Sequence, residues 1–156
     1  MGVHYSDNVP SVEVVRLNES AVIPTRAYTS DAGFDLYADE DVFLKIGETT
    51  VVSTGISMLI PSGYYGKIED RSSLAALGIR SGGGVIDSGY NGEVKIVLHN
   101  LNNGSTSNYR GRGYQIKKGE RVAQLIVQPS VMVRLVQSEK LESSERNNNG
   151  FGSSGR

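Results

Sequence analysis

Apolar and polar side chains alternate most regularly over residues 93–99, where Val94, Ile96 and Leu98 interleave with Glu93, Lys95, Val97 and His99. A period of two places the first set on one face of an extended chain, the pattern of a half-buried β-strand. Strand-like runs recur at 12–17, 49–54, 56–60, 64–68, 114–117, 121–128 and 131–136. Turn signals separate them, among them Leu44-Lys45-Ile46-Gly47, Pro61-Ser62-Gly63 and Lys118-Gly119-Glu120. Only residues 72–77 read as helix, with Ser72 or Ser73 placed to cap the amino end. Many short strands with one small helix predict an all-β domain, a jelly roll or β-barrel. Two segments fall outside the pattern. Residues 100–113 are polar and glycine-rich and read as a long surface loop, and residues 138–156 carry only Leu141 and Phe151 as large apolar side chains. The predicted organisation is therefore a β domain over 1–137 followed by a flexible arm over 138–156.

Composition narrows the chemistry. The 156 residues hold no cysteine and only two histidines, His4 and His99. Thiol nucleophiles, disulfides and cysteine- or histidine-rich metal sites drop out together. A net charge of -1 gives no reason to expect direct nucleic-acid binding. With no secretory signal and no apolar run near the ~20 residues of a membrane span, an intracellular protein of the cytoplasm or nucleus is expected. Met1-Gly2-Val3-His4-Tyr5-Ser6 fits the N-myristoylation pattern, but no polybasic patch follows to supply a second anchor, and a plain flexible start is expected. Reactive chemistry is left to carboxylates, hydroxyls, amides, Arg/Lys and main chain.

Glycine makes up 19 of the 156 residues, about 12% against a usual ~7%. Six of them lie in the fifteen residues from Gly78 to Gly92, which also carry Asp87 and Tyr90. Such a stretch is either a tight hairpin with Asp87 capping its turn or a main-chain surface that a ligand approaches closely. Neither a Walker spacing nor a strand–GxGxxG–helix context occurs. Arg71-Ser72-Ser73, where a strand meets the short helix, is either a capped helix start or an anion cradle. Asp35 follows the Gly33 turn and reads as a turn carboxylate or a metal-linked one. Gln124 interrupts an apolar strand and needs partners, internal or bound.

Together and in order, these pieces resemble the trimeric deoxyuridine triphosphate nucleotidohydrolases (dUTPases). Motif one resembles AGFDLYA at 32–38, motif two DRSSLA at 70–75, motif three GGVIDSGYNGEV at 83–94, motif four GERVAQLIV at 119–127, and motif five RNNNGFGSSG at 146–155. The resemblance runs from about Val22 to Gly155. It implies a distorted jelly-roll β-clip fold and hydrolysis of dUTP to dUMP and pyrophosphate, which limits uracil incorporation into DNA and supplies dUMP. Asp87 would be the general base on the attacking water, and Tyr90 would lie under the deoxyribose and exclude a 2′-hydroxyl. Main chain around Gly84 and Lys95 would read uracil. Arg71, Ser72, Ser73 and Gln124 would hold phosphates. The resemblance further implies Mg²⁺ on the triphosphate, with Asp35 acting on it through water. In the arm, Phe151 would stack on the base beside Gly152, while Arg146, Ser153 and Ser154 would add phosphate contacts. The working unit would be a homotrimer with sites shared between subunits.

Departures are equally specific. Asp70 and Ser73 stand where the family usually has Pro and Gly, adding a negative charge and a side chain beside the expected phosphate cradle. Asn147 and Asn149 replace two customary glycines. A non-catalytic nucleotide-binding or regulatory member of the family is one alternative. The related dCTP deaminase is another, but its catalytic glutamate would fall at Val97. Arg110 and Arg112 are too few to argue RNA contact on a neutral chain. His99 lacks the serine elbow that a catalytic triad needs.

Overall fold

A computed structural model describes residues 9–103 and 113–143 of the chain. Among them are ten strands and one helix: β1 (Glu13–Arg16), β2 (Phe34–Tyr37), β3 (Val42–Lys45), β4 (Thr49–Leu59), β5 (Tyr64–Glu69), α1 (Ser72–Ala75), β6 (Ile79–Gly82), β7 (Val85–Ile86), β8 (Glu93–Asn100), β9 (Gly113–Ile116) and β10 (Arg121–Pro129). They form two four-stranded sheets, ordered β1-β4-β8-β6 and β2-β10-β5-β7, and a two-stranded ribbon of β3 and β9. Every pairing is antiparallel. This is the all-β, jelly-roll-like architecture expected from the alternation. No helix among the described residues is long and apolar enough to cross a membrane.

The core lies where the inward positions of both sheets meet. On β8, Val94, Ile96 and Leu98 are buried, as are Val52, Ile56 and Met58 on β4 and Leu36 and Leu125 from the other sheet. Each such side chain contributes roughly 1.5–3 kcal/mol by leaving water. The buried hydroxyl of Thr54 is satisfied by the Val94 carbonyl, as a polar group in such a core must be.

The structure departs from the sequence reading in several places: the short strands β2, β3, β6 and β7 are additional to those read from the sequence, and the helix ends at Ala75 rather than at residue 77. Runs 49–54 and 56–60 are one strand, β4, whose register against β8 shifts between Ser53 and Ser57 around Gly55; the bulge hides the continuity of the strand. Leu44 belongs to β3 and is buried, so the turn falls later, at Gly47. Asn100 is no surface residue: it ends β8 buried, its Nδ2 donating to the Leu44 carbonyl at 3.0 Å. Most of the loop expected after it lies outside the described residues. Residues 131–136 form no strand. Among the described residues the last main-chain bond runs from the Ser130 N–H to the Gly63 carbonyl, just past Pro129, and the apolar residues of 131–136 stand 68–95% exposed. Their strand-like sequence has no ladder to join among the described residues.

Candidate active site

Beyond Glu69 at the end of β5, the chain turns through Asp70 and Arg71 into α1, a single turn with Arg71 at its N-cap. No side chain caps this end, so the expected capping by Ser72 or Ser73 does not occur. The helix is held instead by Leu74, which reaches the core. Beside this junction, strand register puts Gln124 of β10 between Asp35 of β2 and Glu69 of β5. Gln124 Nε2 donates to the Asp70 carbonyl at 2.8 Å. The side chain lies against Gly33, where a Cβ would come within 2.4 Å of Gln124 Oε1, so this close approach depends on glycine.

Asp35 is shared by two guanidiniums. Arg71 Nε donates to its Oδ1 at 3.0 Å and Arg121 Nη1 to its Oδ2 at 3.2 Å. Arg71 Nη1 also reaches the Arg121 carbonyl at 3.4 Å. With Ser72 and Gln124 they line one open cleft of about 320 Å³. Asp31, also on its rim, accepts the Tyr28 N–H at 2.9 Å. Ser73 is exposed beside this cleft but does not line it. Arg121 is the cleft residue that the sequence did not reveal. Three positions apart on a regular strand, Arg121 and Gln124 would face opposite ways. The register shift between Arg121 and Ala123 puts both into the same cleft, and no residue pattern announces such a bulge.

Asp70 does not bring its charge to the cradle. Its Oδ1 accepts the Ser81 N–H at 2.5 Å and the Ser81 hydroxyl at 2.8 Å, while Arg80 holds Oδ2. Burial pushes its carboxyl up, but the Ser81 and Arg80 contacts outweigh burial and hold it below the ordinary 3.8. Glu93 behaves alike. Burial opposes ionisation, yet Ser53, the Gly55 N–H and Lys95 hold it below 4.5. Carboxyls depressed in this way stabilise the fold fully above their ordinary values and lose that contribution as pH falls through the folded ones. The melting temperature should therefore be level from pH 7 to about pH 5.5 and drop below about pH 4. Asp70→Asn should shallow that acid limb, as followed by circular dichroism.

A second cleft, about 580 Å³, opens between β5, β7 and β8 and is lined by Ile68, Val85, Asp87, Tyr90, Glu93 and Lys95, among others. Asp87 is exposed in the turn after β7, its carbonyl accepting the Tyr90 N–H at 3.2 Å. The Tyr90 hydroxyl donates to the Glu93 carbonyl at 3.0 Å. Gly84 packs beside this cleft, its carbonyl accepting the Ile68 N–H at 2.7 Å. Of the residues singled out in the sequence, Asp35, Arg71, Ser72 and Gln124 line one cleft and Asp87, Tyr90 and Lys95 the other, with no lining residue in common, while Ser73 and Gly84 line neither. Arg146, Phe151, Gly152, Ser153 and Ser154, with Gly2 at the other end, lie outside the described residues.

The family model described as dUTPase matches residues 19–155. The chain belongs to the dUTPase family. Deoxyuridine 5′-triphosphate nucleotidohydrolase of Saccharomyces cerevisiae is 41% identical to it over 152 residues, 96% of this chain and 97% of that one. The Eremothecium gossypii protein of the same name is 39% identical over 150 residues, 95% of this chain and 93% of the relative. Among solved structures, the dUTPase of Staphylococcus bacteriophage 80alpha with dUpNHpp superposes with a TM-score of 0.84 at 34% identity, over 94% of this chain and 99% of that one. As a dUTPase-family fold, the chain keeps motif one on β2, motif four on β10 and motif three on the hairpin from β7 into β8. Among the described residues of this dUTPase-family chain, no three Asp, Glu or His side chains cluster to hold a metal ion.

Proposed function

We propose that the chain hydrolyses dUTP to dUMP and pyrophosphate, with Mg²⁺ carried on the triphosphate, as a homotrimer whose sites combine the two clefts from different copies. The observation that carries this reading is the segregation of an exposed carboxylate with an aromatic neighbour, Asp87 and Tyr90, from an arginine cradle around Asp35. Each cleft alone offers half of what hydrolysis of a nucleoside triphosphate requires.

In this reading Asp87 accepts a proton from a water whose oxygen bonds to the α-phosphorus, while the bond from that phosphorus to the α–β bridging oxygen breaks. Arg71 and Ser72 meet the negative charge that builds on the departing pyrophosphate, and Gln124 donates to a phosphate oxygen. Arg121 shares Asp35 with Arg71 and so fixes where the second guanidinium points. Tyr90 lies beneath the sugar, and main chain of the hairpin reads the base. The donor set fits a hard cation that keeps its waters: the described residues hold no carboxylate cluster, and Asp35 retains lone pairs for a metal-bound water beyond its two arginine contacts. When bound, Mg²⁺ neutralises phosphate oxygens and orients the chain of phosphates. The exposed apolar residues of 131–136 support assembly, because a second copy would cover them.

The test is a substrate panel on size-fractionated protein. Pyrophosphate release from dUTP is expected to require Mg²⁺, to exceed that from dCTP, dTTP and UTP by ~10² or more, and to coelute with a species of three chain masses. Conversion of dCTP to dUTP, absence of turnover, or full activity in a monomer peak would contradict the reading.

A further inference from the structure

Glycine at position 92 has no backbone reason to be glycine. Eight described glycines adopt the positive φ that favours this residue, among them Gly83 at 61° and Gly89 at 81° in the same hairpin, but Gly92 is not one of them. Around Gly89 a Cβ would meet nothing within 4 Å, so that glycine answers to its backbone alone. At Gly92 a Cβ would stand 2.5 Å from the Tyr90 hydroxyl oxygen and 2.7 and 3.1 Å from two ring carbons, with nothing else nearer. What the missing side chain leaves is a seat for the Tyr90 ring.

The surroundings decide which partner would yield if the seat were filled. The neighbours of Gly92 are both tied to β4. The Asn91 carbonyl accepts the Ser57 hydroxyl at 2.6 Å, and the Glu93 carboxylate accepts the Ser53 hydroxyl and, at 3.1 Å, the Gly55 N–H. Held on both sides, the main chain at 92 has little room to retreat. Tyr90 is half exposed, and its ring is fixed at its tip by one hydrogen bond to the Glu93 carbonyl at 3.0 Å. The ring is the soft element.

We propose that Gly92 is a positioning residue for sugar selection: by seating Tyr90 it sets the depth of the cleft floor, and hence the discrimination between a 2′-deoxyribose and a ribose. This rests on the reading of Tyr90 as the platform beneath the sugar. A Cβ at 92 pushes the ring off its seat and breaks its bond to Glu93. Tyr90 then no longer holds the position that a 2′-hydroxyl would need.

The experiment compares kcat/KM for dUTP and UTP in the unsubstituted chain, Gly92→Ala, Tyr90→Phe and the double variant. Gly92→Ala should fold, since its φ is open to alanine, and should lower the dUTP-to-UTP preference about tenfold or more, within the range that one small steric group controls. A purely structural effect would lower both substrates alike. Tyr90→Phe shortens the ring tip that the new methyl meets, so the double variant should recover part of the lost preference, a coupling that independent sites would not show. An unchanged ratio in an active Gly92→Ala, or failure of that variant to fold, overturns the proposal. Absence of dUTP turnover by the unsubstituted chain overturns the reading beneath it instead.

Discussion

Asp87→Asn should lower kcat for dUTP by ~10² or more, a barrier increase of about 2.7 kcal/mol, and leave nucleotide binding within a few-fold of the unsubstituted chain. Asparagine keeps the size of the side chain and an oxygen that can orient water. It loses the ability to take the proton, so the deficit belongs to chemistry. The position suits a clean substitution. Asp87 is exposed after β7, no hydrogen bond among the described residues involves its carboxylate, and its main chain closes the turn to Tyr90. A surface change of that kind alters stability by ~0.5 kcal/mol or less, so the melting temperature should hardly move. Single-turnover hydrolysis, with equilibrium binding of a non-hydrolysable dUTP analogue, separates the two effects. Near-normal turnover in the variant would place the base elsewhere.

The parts of this molecule that the sequence discloses are those where one physical cause dominates. Burial against a single core writes itself as alternation, so β8 is legible from Val94, Ile96 and Leu98 alone. Glycine clustering likewise marks the segment of Asp87 and Tyr90 as a tight turn or a close-approach surface. Features that depend on a distant strand leave no such trace. Arg121 enters the Asp35 cleft because β10 bulges against β2, and Asp70 turns from the cradle because Ser81 and Arg80 of β6 offer it better partners. Read from its neighbours in sequence, that carboxylate looks like an intruder among phosphate ligands. Read in three dimensions it ties β6 to the turn before α1, and one sequence-based argument for a non-catalytic member of the family loses its force. Residues 131–136 fail in the opposite sense. Their composition is that of a strand, but strand formation needs a partner edge, and among the described residues none is offered past Pro129.

Arg71→Lys is expected to cost ~10²-fold or more in kcat/KM for dUTP, although it keeps the positive charge. The geometry of the cradle is the reason. Two of the Arg71 guanidinium nitrogens already donate to protein, Nε to Asp35 at 3.0 Å and Nη1 to the Arg121 carbonyl at 3.4 Å, and the remaining N–H groups of the planar fork are left to meet an anion. A lysine ammonium carries three donors at one point and cannot span those two partners while also reaching a phosphate. If it pairs with Asp35 it leaves the substrate, and if it follows the substrate it leaves Asp35 to Arg121 alone. The Asp35–Arg71 pair is only partly buried, the two side chains being 17% and 24% exposed, so the loss of stability should be small beside the kinetic effect. Steady-state kinetics and thermal melts of the same preparation distinguish the two. A lysine variant with unaltered kcat/KM would mean that charge alone holds the phosphates and that the fork, with the Asp35 and Arg121 contacts that orient it, is irrelevant to binding.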